Sequence, residues 1–286
     1  MRANPRRLLA VVLRDAVFVV AVLISTGIVL RATDVIDHSF IFFPDRDVFN
    51  TPADVGLSYE DVDFQAADGT KLHGWLVPSD GDVTLVWFHG NAGNISHRVA
   101  NLAALRARIG ATIFIFNYRG YGRSEGSPSE DGTYLDAESA LDYLASRADL
   151  EGSKTVLFGR SLGAAVAAEM AIRRPARALV LESGFTSIPD MARRHYPFLP
   201  GIGKLTATKY DTLSKIGRVE IPTMVLHGDR DEIASFEMGR QLYEAANDPK
   251  RFYTIPGAGH NETYEVGDAL YYDALAGFID EFAGGD

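Results

Sequence analysis

Thr155-Val-Leu-Phe-Gly159-Arg-Ser161-Leu-Gly163-Ala-Ala-Val-Ala-Ala-Glu-Met170 is the stretch on which the fold turns. Its first four residues are β-branched or apolar and read as a buried strand. The Ala-rich run from Leu162 to Arg173 reads as a helix. Between them stands Gly-x-Ser-x-Gly. Three fixed residues are a weak signal alone, and the context gives them meaning: a sharp strand-to-helix turn holds a serine hydroxyl exposed in a strained backbone conformation. Both flanking glycines are needed, because a side chain there would collide with the neighbouring strand and helix. The plain alternative, a glycine-rich turn capped by serine, requires nothing else of the chain. A nucleophilic Ser161 requires a base and an acid downstream.

Outward from this stretch, strand and helix signals alternate. Tyr59–Gln65 and Lys71–Val77 read as a hairpin turning at Asp68-Gly69. Val83–Phe88, Thr112–Phe116, Ala178–Leu181, Thr223–Leu226 and Arg251–Ile255 read as further strands. Helices are expected over His97–Arg108 and Tyr134–Ala145, around Gln241 and around Ala274. Such alternation builds a mostly parallel sheet with helices on both faces. The long connection from Gly184 to Glu220 holds Pro189, Pro197 and Pro200, and reads as either a small lid over a substrate pocket or a plain structural insertion. The expected organisation is an N-terminal segment (1–32), a connector (33–54) containing Phe40, Phe42 and Phe43, and a catalytic domain (55–286).

A serine is a poor nucleophile at neutral pH and needs a base within hydrogen-bond reach. In the strand-turn-helix setting the chain order is nucleophile, acid, base. Of seven histidines, only His260 follows the last expected strand in a loop, in Gly257-Ala-Gly-His260-Asn261. The acid belongs after Thr223–Leu226, where His227-Gly-Asp229-Arg-Asp231-Glu232 offers three carboxylates. Asp231 is the expected acid, with Asp229 in reserve and Glu232 behind both. Its task is to fix the imidazole tautomer and stabilise the imidazolium. An oxyanion hole needs two backbone N–H groups: Leu162, at the N-terminus of its helix, and one from the loop after Val83–Phe88. That loop, His89-Gly-Asn-Ala-Gly-Asn94, assigns the second donor to Asn91, with His89 as a structural residue.

With these residues placed, the chain resembles the single-pass membrane α/β hydrolases whose animal members include protein depalmitoylases and lysophospholipid hydrolases. The resemblance covers residues 40–283 and rests on five motifs in order: the two glycine-rich loops His89–Asn94 and Asn117-Tyr-Arg-Gly-Tyr-Gly122, then Gly159–Gly163, His227–Glu232 and Gly259-His-Asn261. It implies the α/β-hydrolase fold, hydrolysis of a carboxylic ester or thioester of an acyl or lipid-like substrate, and the second aspartate of the fourth motif, Asp231, as acid. The depalmitoylases carry an N-terminal cysteine cluster; this chain has no cysteine and departs from that subgroup.

The absence of cysteine also excludes a thiolate nucleophile and a sulfur-based zinc site, and no metal or cofactor is expected. Residues 1–31 carry Arg2, Arg6, Arg7, Arg14 and Arg31 against Asp15, a net of +4 that leaves −14 for the rest of a chain totalling −10. So acidic a body argues against nucleic-acid binding. Gly120-Tyr-Gly122-Arg-Ser-Glu-Gly126 has one residue too many for a dinucleotide fingerprint, and no Gly-Lys-Ser/Thr cradles phosphate. A peptidase or amidase using the same triad stays open. So does a non-catalytic binding protein on the same fold, although none of the three triad members is missing.

From Leu8 to Leu30 the sequence is apolar except for Arg14-Asp15. Ala16–Leu30 alone makes a helix of about 22 Å, short of a bilayer core of about 30 Å, so a span would start near Val11 or Val12. The expectation is a single-pass membrane anchor. The arginines before it and Asp34 and Asp37 after it put the N-terminus in the cytoplasm and the catalytic domain outside. A cleavable signal peptide followed by secretion, and a helix buried in the domain, are the alternatives.

Overall fold

Runs of Val, Ile, Phe, Trp and Leu too short to make helices form the centre of the protein. The computed structural model describes residues 16–20, 22, 25–26, 41–199, 201–204 and 206–284. Eight strands make one sheet: β1 (Glu60–Gln65), β2 (Lys71–Val77), β3 (Val83–Phe88), β4 (Thr112–Asn117), β5 (Lys154–Arg160), β6 (Ala178–Glu182), β7 (Thr223–Gly228) and β8 (Lys250–Ile255). Their spatial order is β8-β7-β6-β5-β3-β4-β2-β1. The β1–β2 and β2–β4 pairs are antiparallel and the other pairs parallel. Strands β3, β4 and β6 are buried along their whole length, as a sheet covered on both faces requires. Edge strand β1 alternates instead, with Val62 and Phe64 turned inward.

Period-two alternation sends neighbouring residues into two separate cores. Phe88, Phe116, Leu157, Leu181 and Val225 face a cluster shared with helix α3 (Leu162–Arg173). Trp87, Ile115, Phe158, Val180 and Leu226 face the other cluster, shared with α1 (Val99–Ile109) and α7 (Thr263–Ile279). Helix α2 (Glu130–Ala145) starts four residues before the apolar spacing predicts. Its first turn is acidic and is held by Ser129, whose Oγ accepts the Gly132 N–H at 3.1 Å. Strands β5, β6 and β7 run on into Arg160, Glu182 and Gly228, polar or small residues that hydrophobic patterning leaves out. The 184–220 connection holds α4 (Ile188–His195), a 3₁₀ turn (Ile202–Lys204) and α5 (Thr212–Ile216); α6 (Phe236–Ala245) lies between β7 and β8.

Residues 16–20, 22, 25 and 26 are helical, and the rest of the expected 8–30 span lies outside the described residues. No helix among the described residues is long and apolar enough to cross a membrane. In the connector, Ile41 and Phe42 are buried in the core and Phe43 is exposed, while Phe40 lies outside the described residues. Phe43–Pro44 forms a two-residue parallel ladder with Ala92–Gly93, in the loop after β3.

Candidate active site

All parallel strands end on one side of the sheet, and the turns and loops after them carry every expected triad and oxyanion-hole residue. Ser161 follows β5 with φ 54° and ψ −115°, outside the regions open to most L-residues. The cause is the close passage of β5, α3 and the end of β3. A Cβ on Gly159 would stand 2.2 Å from the Gly163 carbonyl oxygen, and one on Gly163 only 1.9 Å from that of Phe88. The turn closes only with both glycines present, as the motif implies. The strain is stabilised locally by the Ser161 N–H, which donates to the Glu182 carbonyl on β6 at 2.9 Å.

The expected nucleophile, base and acid meet in one hydrogen-bonded line. His260 Nε2 lies 2.9 Å from Ser161 Oγ, and its Nδ1 lies 2.7 Å from Asp231 Oδ2. Asp231 is buried and acceptor-saturated: its Oδ1 also takes the N–H groups of Ile233 and Ala234, each at 2.9 Å. Burial pushes this carboxyl up, but hydrogen bonds and charge from His227 and His260 outweigh burial and hold it at about 2. Asp231 is therefore ionised at neutral pH, which fixes the proton of His260 on Nδ1 and leaves Nε2 free to accept from Ser161. Asp229, the reserve acid, does not join this line; its Oδ1 accepts the Gly257 N–H at 2.7 Å and braces the loop leading to His260.

Gly90 places the loop after β3 against the serine: a Cβ there would lie 3.5 Å from Ser161 Cβ. Asn91, next along, is held by its side chain. Its Oδ1 accepts the Phe43 N–H at 3.2 Å and the Tyr121 hydroxyl at 3.0 Å, and its Nδ2 donates to the Ile41 carbonyl. Leu162 opens α3, where its N–H has no carbonyl one turn earlier to meet. His89 is fully buried between Tyr118 and Tyr121, with ring centroids at 4.5 and 5.3 Å. Burial depresses its pKa to about 3, so it is neutral and shapes the loop.

Four further contributors escape residue-by-residue reading. Arg160, the variable residue before the serine, donates to the His260 carbonyl at 2.9 Å and pairs with buried Glu182 at 3.3 Å. Glu182 in turn accepts from Thr263 Oγ1 and from the Tyr271 hydroxyl at 2.9 Å, tying the β6 end to α7 and to the histidine loop. The Asn117–Gly122 motif supports the loop after β3 from below: Asn117 Oδ1 accepts the Ile95 N–H at 3.0 Å, and Tyr121 reaches Asn91. His227 sits under Asp231. The signal in the sequence for Arg160, Asn117, Tyr121 and His227 is their place inside a motif, and for Glu182 it is only a charge at the end of an apolar strand.

A strained serine, a neutral-side imidazole nitrogen and a buried carboxylate in hydrogen-bond contact can carry out acyl transfer. Comparison with known proteins agrees on the scaffold. A family profile described as alpha/beta hydrolase fold matches residues 83–207. The alpha/beta hydrolase domain-containing protein WAV2 of Arabidopsis thaliana is 37% identical over 254 residues, which is 82% of each chain. This chain belongs to the α/β-hydrolase family. Within that family it is also similar to the uncharacterized protein Rv2307c of Mycobacterium tuberculosis, 35% identical over 271 residues, 93% of this chain and 95% of that one. Among solved structures, an esterase of Pyrococcus furiosus superposes with a TM-score of 0.72 at 21% identity, covering 85% of this hydrolase-family chain and all of the other.

Proposed function

We propose that the protein is a serine hydrolase cleaving carboxylic ester or thioester bonds of acyl or lipid-like substrates through an acyl-enzyme. The observation that carries this is the Ser161–His260–Asp231 line with Ser161 held at φ 54°. The likeness to an esterase of Pyrococcus furiosus points the same way. In this mechanism Ser161 Oγ attacks the acyl carbonyl as its proton passes to His260 Nε2, and Asp231 stabilises the imidazolium. The carbonyl oxygen, now anionic, is received by the N–H groups of Asn91 and Leu162. Collapse breaks the acyl–oxygen or acyl–sulfur bond, and His260 returns its proton to the leaving group. Water, deprotonated by His260, then attacks the acyl-serine and releases the acid and free Ser161.

The same reading places residues 1–32 as a membrane anchor, supported by the apolar run Leu8–Leu30 and the arginines around it, with the hydrolase unit on the extracytoplasmic side. A panel of p-nitrophenyl esters of rising chain length, with an acyl thioester and a peptide anilide, tests the reaction. Cleavage of the anilide alone would overturn ester specificity, and silence on the whole panel would overturn the hydrolase. For the anchor, the full chain is expected to stay with membranes through a carbonate wash; recovery in the supernatant overturns it.

A further inference from the structure

Helix α4 has no buried residue, although it follows directly from a strand of the central sheet. Its inner side, through Ile188 and Met191, leans on the core, and from Arg193 to Leu199 seven consecutive residues are exposed. Three of these are large and apolar: Tyr196, Phe198 and Leu199, with Phe198 72% exposed. The Tyr196 and Phe198 rings hold each other edge to face, 6.3 Å between centroids, and otherwise face outward. Solitary exposed apolar side chains are ordinary, whereas an adjacent group on an insertion is the pattern of a contact surface.

The surroundings say what partner fits. Between 188 and 209 the charged residues are Arg193, Arg194, Lys204 and Lys209 against Asp190 alone, in a chain of net −10. Asp190 is already paired with Arg193. Beside the tip opens a groove of about 730 Å³ bordered by Arg193, Lys204 and Lys209. Aromatic and leucine side chains rimmed by arginine and lysine match the interface of a bilayer that carries anionic headgroups.

Position completes the argument. His195 Nε2–H donates to the Ile233 carbonyl at 2.9 Å, two residues from Asp231, so the tip stands beside the catalytic loops. The connector meets the same insertion, with Phe42 against Tyr210 at 6.4 Å between ring centroids, before pairing with the Asn91 loop. The chain thus enters the domain from its N-terminal segment at the end of the sheet where Ser161 and the aromatic tip both lie.

We propose that Tyr196–Leu199, edged by Arg193, Arg194 and Lys204, is a membrane-docking surface that rests on an anionic bilayer and turns the Ser161 end of the sheet toward acyl lipids. The proposal rests on the reading of the chain as an anchored acyl hydrolase. Docking at this tip would explain how a site at a strand end reaches a substrate whose acyl chain is held in the bilayer. It also gives the 184–220 insertion its role: a lipid-facing collar around the site.

The absence of cysteine allows a direct test. Full-length Phe198→Cys and Glu151→Cys, each carrying one fluorophore, are reconstituted in phosphatidylcholine vesicles with and without phosphatidylglycerol, part of the lipid bearing an acyl-chain quencher. Glu151 is exposed just ahead of β5, at the end of the sheet away from Ser161. Quenching is expected at 198 and not at 151, and stronger with phosphatidylglycerol; Arg193→Gln with Arg194→Gln should remove that increment. In parallel, Phe198→Ser with Leu199→Ser should lower hydrolysis of a long-chain ester in the vesicle by about tenfold while p-nitrophenyl acetate hydrolysis is unchanged. Equal quenching at both positions, or an unchanged rate on the vesicle ester, overturns the docking surface. Self-quenching of the label at 198 without lipid quenching also overturns it, by showing a second copy on the tip. A parent protein that cleaves no ester sinks the proposed function instead, and the quenching comparison still decides whether the tip docks.

Discussion

His227 Nε2 lies 3.3 Å from Asp231 Oδ2, the same oxygen that receives the Nδ1 proton of His260 at 2.7 Å. His227 donates from Nε2 to the Ala234 carbonyl at 2.8 Å, so it closes the loop around the carboxylate. Asp231 is thereby fixed by neighbours on three sides. Its neighbour Asp229 only braces a backbone turn. Asp231→Asn is expected to lower kcat by about 10⁴-fold, because the amide can no longer dictate the tautomer of His260. Asp229→Asn should cost less than about tenfold, the scale of one weakened loop hydrogen bond. Steady-state kinetics of both variants on one soluble ester decide it, and a reversed ranking would move the acid to Asp229.

Ser161→Ala should abolish turnover, with a loss of about 10⁴-fold or more, and leave the melting temperature within a few degrees of the parent. Alanine tolerates φ 54° no better than serine, so the turn's strain is unchanged and only the Oγ contact to His260 disappears. A fluorophosphonate probe should label the parent and not the variant. Retained labelling would falsify the nucleophile assignment.

Tyr121→Phe removes one hydroxyl from Asn91 Oδ1 and leaves the Phe43 N–H on the same oxygen. If Asn91 supplies an oxyanion donor, loosening its side chain should weaken transition-state binding more than substrate binding. The expected result is a fall in kcat of about tenfold with KM nearly constant. A change confined to KM would mean that Asn91 shapes the substrate pocket rather than the oxyanion hole.

Stability in acid carries a signature of Asp231. Its folded-state pKa, about 2, is below the ordinary 3.8, so its ionised form contributes stability above pH 3.8 that is lost as pH falls toward about 2. Asp231→Asn cannot gain or lose that contribution with pH. The difference in melting temperature between parent and Asp231→Asn should therefore narrow across this window, as followed by thermal melts in steps of pH. A gap that stays constant to below pH 2 would show that the carboxylate is not held down in the folded state.

Where the sequence was legible, one side chain or one periodicity sufficed. The buried strands and the Ala-rich α3 are visible because burial on both faces demands continuous apolar runs, and the Gly159 and Gly163 requirement is visible because no other residue fits the elbow. What stayed hidden depends on partners far apart in the chain. Arg160 reads as a filler position until the fold sets it against Glu182 and the His260 carbonyl. The first turn of α2 is acidic and apolar-poor, so only its Ser129 cap announces it. Asn91 is legible as a backbone donor but not as a side chain bound to Ile41 and Phe43, since nothing local to either stretch implies the other.

The two-residue ladder between Phe43–Pro44 and Ala92–Gly93 decides where this protein can be cut or joined. A chain started at residue 55, just ahead of the first strand, would keep the whole sheet, the strained serine, the imidazole and the carboxylate. It would lose the Ile41 carbonyl and Phe43 N–H that grip the Asn91 amide, and the Asp45 carbonyl that receives the Gly122 N–H at 2.7 Å. Such a fragment would also give up the buried side chains of Ile41 and Phe42, and by the reading above it would stabilise the charged carbonyl oxygen poorly. If Asn91 supplies an oxyanion donor, the leading residues of the domain govern the chemistry without touching a reacting atom.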